Sequence, residues 1–423
     1  MKWLRRTFTL AALLAVLAMA SYAVWVLTPS GGLQPRRWYT LPFESFRAGL
    51  FTNWEVIQPH AALAGSSSPR RYERDLVDPA EVTYSFEGER RDLSDYLERA
   101  NVSGLMLLQD GRVRLELYRK GLDAESRYHI WSATKSFTST LVGMALRDGV
   151  IQSLDDPIEQ HAPQFEGTAY GEASIRHVMM MSSGIDYFHF QGEPDRNDMY
   201  AAILQNGEDF DAWAGALGRR VPAGTDFNYI ATDTHVLSAA LRGAYGKPFA
   251  EIVQEKLWEP GGFAAAKWGL DHAGHAMGHC CLSLRLQDFA NLGQLYLEDL
   301  VLNGAPTVGP DWIPAVERAQ APFQEPGVDA EGNPRAGYSY QFWLPHDYDQ
   351  EFMAAGAFGQ YLWVDRKRGF VVAQFATGPP FWEMAGGGGR TDGSTRQAEF
   401  FAVMRGLGDL PRAPGDESIR GSN

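Results

Sequence analysis

The residues of this chain best suited by type and spacing to chemistry are Ser132 and Lys135, in Ser132-Ala133-Thr134-Lys135. On a helix, positions i and i+3 share a face, so the lysine amine reaches the hydroxyl one turn earlier. An amine kept neutral by burial can take that hydroxyl proton and make the serine a nucleophile. At the first turn of a helix the serine N–H has no intrahelical acceptor and can face a developing oxyanion. Serine and lysine are common, and the spacing alone equally describes an ordinary helix cap. Lysine is scarce here, however. Of Lys2, Lys120, Lys135, Lys247, Lys256, Lys267 and Lys367, only Lys135 has a serine three positions before it.

A second candidate is Tyr229, at the end of Pro222-Ala223-Gly224-Thr225-Asp226-Phe227-Asn228-Tyr229 and just before a helical run. A phenol there can project into a cleft, where a nearby lysine ammonium lowers its pKa and lets it shuttle a proton to a leaving group. In isolation, a packing tyrosine is the simpler account.

The elements that must position these residues are legible around them. Gly104–Leu108 and Val113–Tyr118 flank Asp110-Gly111, a hairpin turn dipeptide. In the second run Val113, Leu115 and Leu117 are expected on one face, with Arg114, Glu116 and Tyr118 on the other. From Ser132 to Arg147, apolar residues recur at helical spacing, and Gly149 follows the end. Residues 151–334 are expected to be mainly helical, with helices at Asp233–Tyr245, Pro248–Trp258 and Leu286–Asn303. A second hairpin, Gln360–Val364 with Phe370–Phe375, and a helix over Ser394–Leu407 close the domain. The expected class is α+β: an antiparallel sheet from residues 76–150 and 335–410, flanked by helices, with the helical part inserted and a cleft between them.

Trp131-Ser132-Ala133-Thr134-Lys135-Ser136-Phe137 resembles the first motif of the serine β-lactamase and penicillin-binding superfamily. The likeness is to the branch of class C β-lactamases, related esterases and 6-aminohexanoate-dimer hydrolases. It extends from about Phe43 to Leu407 and includes Ile175–Gly184, Pro222–Leu237, Leu257–Phe263, Leu284–Tyr296 and Asn303 to Trp312. The resemblance implies that Tyr229 is the catalytic tyrosine. The family often reads Tyr-x-Asn, but here Tyr229-Ile230-Ala231 lacks the asparagine amide. The family's Lys-Thr-Gly falls on Ala354-Ala355-Gly356, so the lysine that helps hold a β-lactam carboxylate is missing. The resemblance therefore implies an ester or amide substrate, an acyl-enzyme on Ser132, and an oxyanion hole from the N–H groups of Ser132 and Ala357. Tyr187, Gly356 and Phe358 are further candidates for substrate contact. The altered motifs also leave room for a non-catalytic envelope protein that keeps the fold, or for a weak β-lactamase or D-peptidase.

His272, His275 and His279 crowd one loop with Cys280 and Cys281, and all are zinc-ligand types. Their spacing matches neither a metalloprotease helix nor a paired-cysteine finger, so no metal and no cofactor is expected. A bond between neighbouring cysteines is strained, so the pair is not expected to act as a disulfide framework. Gly-x-Ser-x-Gly, Gly-x-Gly-x-x-Gly and Walker patterns are absent.

Composition bounds the rest. The 423 residues are 45% hydrophobic and 21% charged, as in a globular protein with a sizeable core. A net charge of −14 argues against nucleic acid as a partner, because phosphate binding needs a basic face. Lys2, Arg5 and Arg6 precede an uncharged, mostly apolar run from Thr7 to Leu27. This is an export signal or a single membrane-spanning helix, and it is expected to send the rest outward to the periplasm or the outer face of the inner membrane. Residues 30–75 are expected to be irregular, and the tail 411–423 polar and frayed.

Overall fold

The computed structural model describes residues 44–187, 207–328, 334–378 and 390–412, together with the isolated positions 16, 17, 19, 199, 202 and 203. Most of the leader and of the tail lie outside the described residues. Among those described, no helix is long and apolar enough to cross a membrane.

The first hairpin forms where expected. Asp110 (φ 51°) and Gly111 (φ 72°) both adopt the left-handed conformation that matches the twist of the flanking strands. The strands are β3 (Val102–Gln109) and β4 (Arg112–Tyr118), after α1 (Glu44–Thr52), β1 (His60–Leu63), β2 (Glu73–Arg74) and α2 (Leu93–Arg99). The late hairpin is β11 (Gln360–Asp365) with β12 (Phe370–Ala376), preceded by β8 (Gly337–Ser339), β9 (Phe342–Leu344) and β10 (Glu351–Gly356). These strands join one eight-stranded sheet of order β8-β9-β10-β11-β12-β3-β4-β2. The two hairpins meet antiparallel, with Val372 opposite Leu107. Only β2 pairs parallel, along β4.

The sheet divides two cores. On one face Leu105, Leu107, Met353 and Val372 pack with Phe400, Val403 and Met404 of the closing helix α6 (Arg390–Gly408). On the other face Met106, Leu108, Ala354, Val371 and Ala373 join the large core shared with the helical part. The simple alternation expected for β4 is broken. Leu107 pairs with Leu115 and Leu108 with Val113, so Arg114 bulges out of register. Val113 and Leu115 therefore serve opposite cores.

The inserted part is not purely helical. It is preceded by α3 (Thr134–Asp148), and its helices include α4 (Ala231–Tyr245) and α5 (Leu286–Leu297). It also supplies β6 (Ala266–Gly269) and β7 (Leu282–Leu284), which combine with β1 and β5 (Tyr128–His129) in a sheet of order β1-β6-β7-β5. The helix expected to reach Asn303 stops at Leu297, because Asn303 (φ 51°) and Gly304 (φ 77°) form the turn of a short hairpin instead. The segment 30–75, expected to be irregular, is ordered from residue 44. Leu63 pairs with Ala266, and Phe51, Trp54 and Ile57 are buried in the large core. Its Pro and Ser content masked a few apolar anchors whose partners lie far along the chain, as Ala266 does from Leu63, a separation no local pattern reports.

Candidate active site

Strand β5 delivers the chain to the site. Tyr128 and His129 pair with Leu284 and Ser283, and the Ile130 N–H donates to Leu282 O at 3.0 Å. Trp131–Ala133 then form one tight helical turn that runs into α3, which ends at Gly149. Ser132 is partly exposed, and Lys135 is buried on the same face. The Lys135 Nζ lies 3.0 Å from Ser132 Oγ and 2.9 Å from the carbonyl oxygen of His279.

Burial pushes the Lys135 amine down to about 7, against the opposing pull of Asp233. A neutral amine has two N–H donors and one lone pair. One N–H can remain on His279 O while the lone pair accepts the Ser132 hydroxyl.

Tyr229 is placed by the loop before α4. The Asn228 N–H donates to Met181 O at 2.8 Å, and the Gly224 N–H to Ser182 O at 2.7 Å. The Tyr229 ring lies 5.2 Å from Lys135 Nζ, and its hydroxyl hydrogen-bonds Ser132. The expected lowering of its pKa does not occur. Burial pushes the phenol up to about 12, with only a partial counter-effect from Ser132, and a Lys135 amine that titrates at about 7 is already neutral where the phenol ionises. Tyr338 (ring centroids 5.9 Å away) and Trp343 (5.2 Å) wall the tyrosine on its other side.

The end of β10 abuts the Ser132 turn. A Cβ on Gly356 would sit 2.1 Å from Ile130 O and 3.2 Å from Ala133 N, so only glycine permits the approach. This brings the backbone of 356–357 alongside that of 130–133. Trp131 (φ 51°) and Phe358 (φ 66°) are left-handed, which costs about 1–3 kcal/mol each for such residues. Their rings hold each other at 5.2 Å, and Phe51 lies 5.5 Å from Trp131 and 5.2 Å from Phe358. Trp54 stacks on His129 at 3.9 Å and meets Trp131 at 4.9 Å.

The remaining candidates separate. Phe358 is buried in that aromatic cluster, which makes it a support for the site rather than a substrate contact. Tyr187 is buried against Trp213 at 5.4 Å, and its carbonyl accepts from Asn228 Nδ2, so it braces the Tyr229 loop. The three loop histidines go different ways. His272 is exposed beside Gly207, His275 lies against Asp271, and the His279 ring meets Phe210.

His275, Asp209 and Asp211 do bring ligand atoms within 4.8 Å of one another. Asp211, however, already accepts from His235 Nε2 (2.8 Å), Gln164 Nε2 (2.9 Å) and Arg242. A guanidinium in that place repels a cation. Burial would push Asp211 up, but His235 and Arg242 hold it well below the usual carboxylate range. Cys280 and Cys281 are bonded to each other. The bond spans adjacent residues and closes no long loop, so it staples nothing.

Several site residues carry no local sequence signal. The His279 carbonyl, Phe51, Trp54, Tyr338 and Trp343 come together only through folding. Asp233 was readable, because it sits four positions after Tyr229 and an acid in the first turn of an apolar helix stands out.

The chain is similar to several known proteins. A 6-aminohexanoate-dimer hydrolase of Paenarthrobacter ureafaciens is 25% identical over 321 residues, which cover 72% of this chain and 81% of that protein. A Bacillus anthracis structure described as a candidate 6-aminohexanoate-dimer hydrolase superposes with a TM-score of 0.75 at 19% identity, covering 91% of this chain and all of that one. A penicillin-binding protein homologue of Caulobacter crescentus gives a TM-score of 0.54 at 15% identity, covering 71% and 91% of the two chains. The beta-lactamase family model matches residues 90–389, with the Ser132 turn, the Tyr229 loop and Gly356 all inside the match, and the chain is therefore a member of the beta-lactamase family.

Proposed function

We propose that this protein is a serine hydrolase that cleaves a carboxylic ester or amide through an acyl-enzyme intermediate. The observation that carries the proposal is the Lys135 amine, buried and 3.0 Å from a partly exposed Ser132 hydroxyl. Lys135 takes the Ser132 proton as Oγ attacks the substrate carbonyl. The N–H groups of Ser132 and Ala357 hold the oxyanion, and Tyr229, a neutral phenol at physiological pH, passes a proton to the leaving alcohol or amine. Water then releases the acyl group by the reverse relay.

A β-lactam is disfavoured as main substrate because Ala354 stands where the family's lysine would meet a carboxylate. The half-buried rings of Phe227, Tyr229 and Trp343 favour an apolar group beside the scissile bond. The relative named for an amide dimer is consistent with this class. The basic, apolar leader supports export of the catalytic domain.

Intact mass after incubation with a fluorophosphonate, together with p-nitrophenyl butyrate turnover, tests the proposal. A single adduct on wild type that is absent from Ser132→Ala is expected. A folded wild type that neither labels nor turns over would instead be a binding protein.

A further inference from the structure

The helix that follows Tyr229 buries Asp233 completely. Its Oδ1 accepts from Tyr170 Oη and from Ser183 Oγ, each at 2.7 Å. Its Oδ2 is equally buried and has no hydrogen-bond partner. A carboxylate with half its acceptor capacity unused is costly in a core unless a positive charge faces it.

The buried cation that acts on this position is Lys135, across one strip of backbone. Gly278 lies flat against α4, where a Cβ would be 2.9 Å from Thr234 O. Gly278 O accepts from Thr138 Oγ1 on α3, and the next carbonyl, His279 O, holds Lys135 Nζ. Burial pushes the Asp233 carboxyl up to about 7 and Lys135 opposes that rise, while burial pushes Lys135 down and Asp233 opposes that fall.

The other titratable groups facing Asp233 are the phenols of Tyr170 and Tyr338, both pushed up by burial. The charged groups of α4 and its neighbours are otherwise paired elsewhere. Asp211 meets His235 and Arg242, Asp156 meets His161, and Asp155 meets Arg176. The His279 ring turns towards Phe210, and His177 lies against Gly224.

We propose that Asp233 is a positioning residue for the reaction, a buried carboxylate that faces Lys135 and stabilises the ammonium formed when Lys135 takes the Ser132 proton. The assignment rests on the hydrolase proposal above. In the step, the Ser132 Oγ–H bond breaks as the Nζ–H and Oγ–C bonds form, and the carbonyl electron pair moves to oxygen. The proton later leaves through Tyr229 to the departing group, returning the amine to neutrality. Asp233 acts in its ionised form and exchanges no proton with substrate.

The test is the pH dependence of fluorophosphonate labelling and of p-nitrophenyl butyrate kcat and KM in Asp233→Asn. Asparagine can still accept from Tyr170 and Ser183 but carries no charge. The expected result is a labelling limb displaced to lower pH by about half a unit or more, because Lys135 loses the charge that raises it. Plateau kcat should fall about tenfold with KM unchanged. A role confined to stability would lower Tm and leave the limb in place, and a limb coincident with wild type overturns the assignment. Ser183→Ala gives a second reading should Asp233→Asn fail to fold. Loss of one donor makes the carboxyl easier to protonate, so its limb should move the same way by less, and an unmoved limb there also overturns the assignment. A wild type that never labels refutes the hydrolase proposal itself, whereas normal wild-type labelling with unmoved limbs refutes Asp233 alone.

Discussion

The carbonyl oxygen of His279 holds the Lys135 amine at 2.9 Å, while Ser132 Oγ lies 3.0 Å from the same nitrogen. One N–H is thereby committed to a fixed backbone acceptor, and the amine can turn its remaining valences only towards Ser132 and the Tyr229 ring. A buried lysine in that setting can act as a base at neutral pH.

Reaction should therefore follow the neutral amine. With burial placing Lys135 at about 7, the labelling rate is expected to rise roughly tenfold per pH unit below 7 and to level off above it. Lys135→Ala should lower the plateau by about 10²–10⁴-fold, the range for a lost general base. A profile flat from pH 5 to 9 would show that Lys135 does not limit the reaction.

Tyr229→Phe keeps the ring over Lys135 and removes the hydroxyl that bonds Ser132. Turnover of an ester with a poor leaving group should fall about 10²–10³-fold, and that of a p-nitrophenyl ester much less, since nitrophenolate needs no proton. Equal losses on both substrates would count against proton delivery by the phenol.

Gly356→Ala places a methyl group where Ile130 O already stands. The β10 end must shift from the nucleophile turn, costing about 1–3 kcal/mol from overpacking. Activity should drop between tenfold and about a thousandfold, as when an oxyanion donor is displaced. A thermal melt and kcat/KM measured together check it, and unchanged activity would remove Ala357 from the oxyanion hole.

Phe51→Ala should cost about 3–5 kcal/mol, since the ring is wholly buried. It also releases Trp131 and Phe358, the two left-handed residues it touches. Labelling by fluorophosphonate should slow even in the fraction that remains folded. Labelling at the wild-type rate would reduce the segment to a purely stabilising role.

Glu351 faces Asp365 across β10 and β11. Burial and the Asp365 charge push it up to about 7, against Arg368. Its folded value exceeds its unfolded one, so the stability it contributes is full below its unfolded pKa and is lost as pH rises through about 7. Glu351→Gln should match wild type in Tm near pH 4 and exceed it at pH 8. An advantage that did not grow with pH would contradict this.

The chain's own order of residues determined much of the site. A lone Ser-x-x-Lys at a helix start, a tyrosine just before another helix, and two hairpins with left-handed turn residues are local facts. They depend on spacings of three or four residues and on two-residue periods, which neighbouring side chains enforce wherever the segment lies. The α+β class follows from the order of those elements.

Tertiary structure alone decided what surrounds the pair. His279 lies 144 residues from Lys135, yet its carbonyl fixes the amine. Phe51 and Trp54, from a segment that looks irregular, brace the nucleophile turn, and the bulge at Arg114 redirects β4 between two cores. Even the direction of the Tyr229 pKa shift reversed, because desolvation depends on everything packed around the phenol and outweighs one neighbouring amine. Burial and distant carbonyls are properties of the assembled core, and no short stretch of sequence carries them.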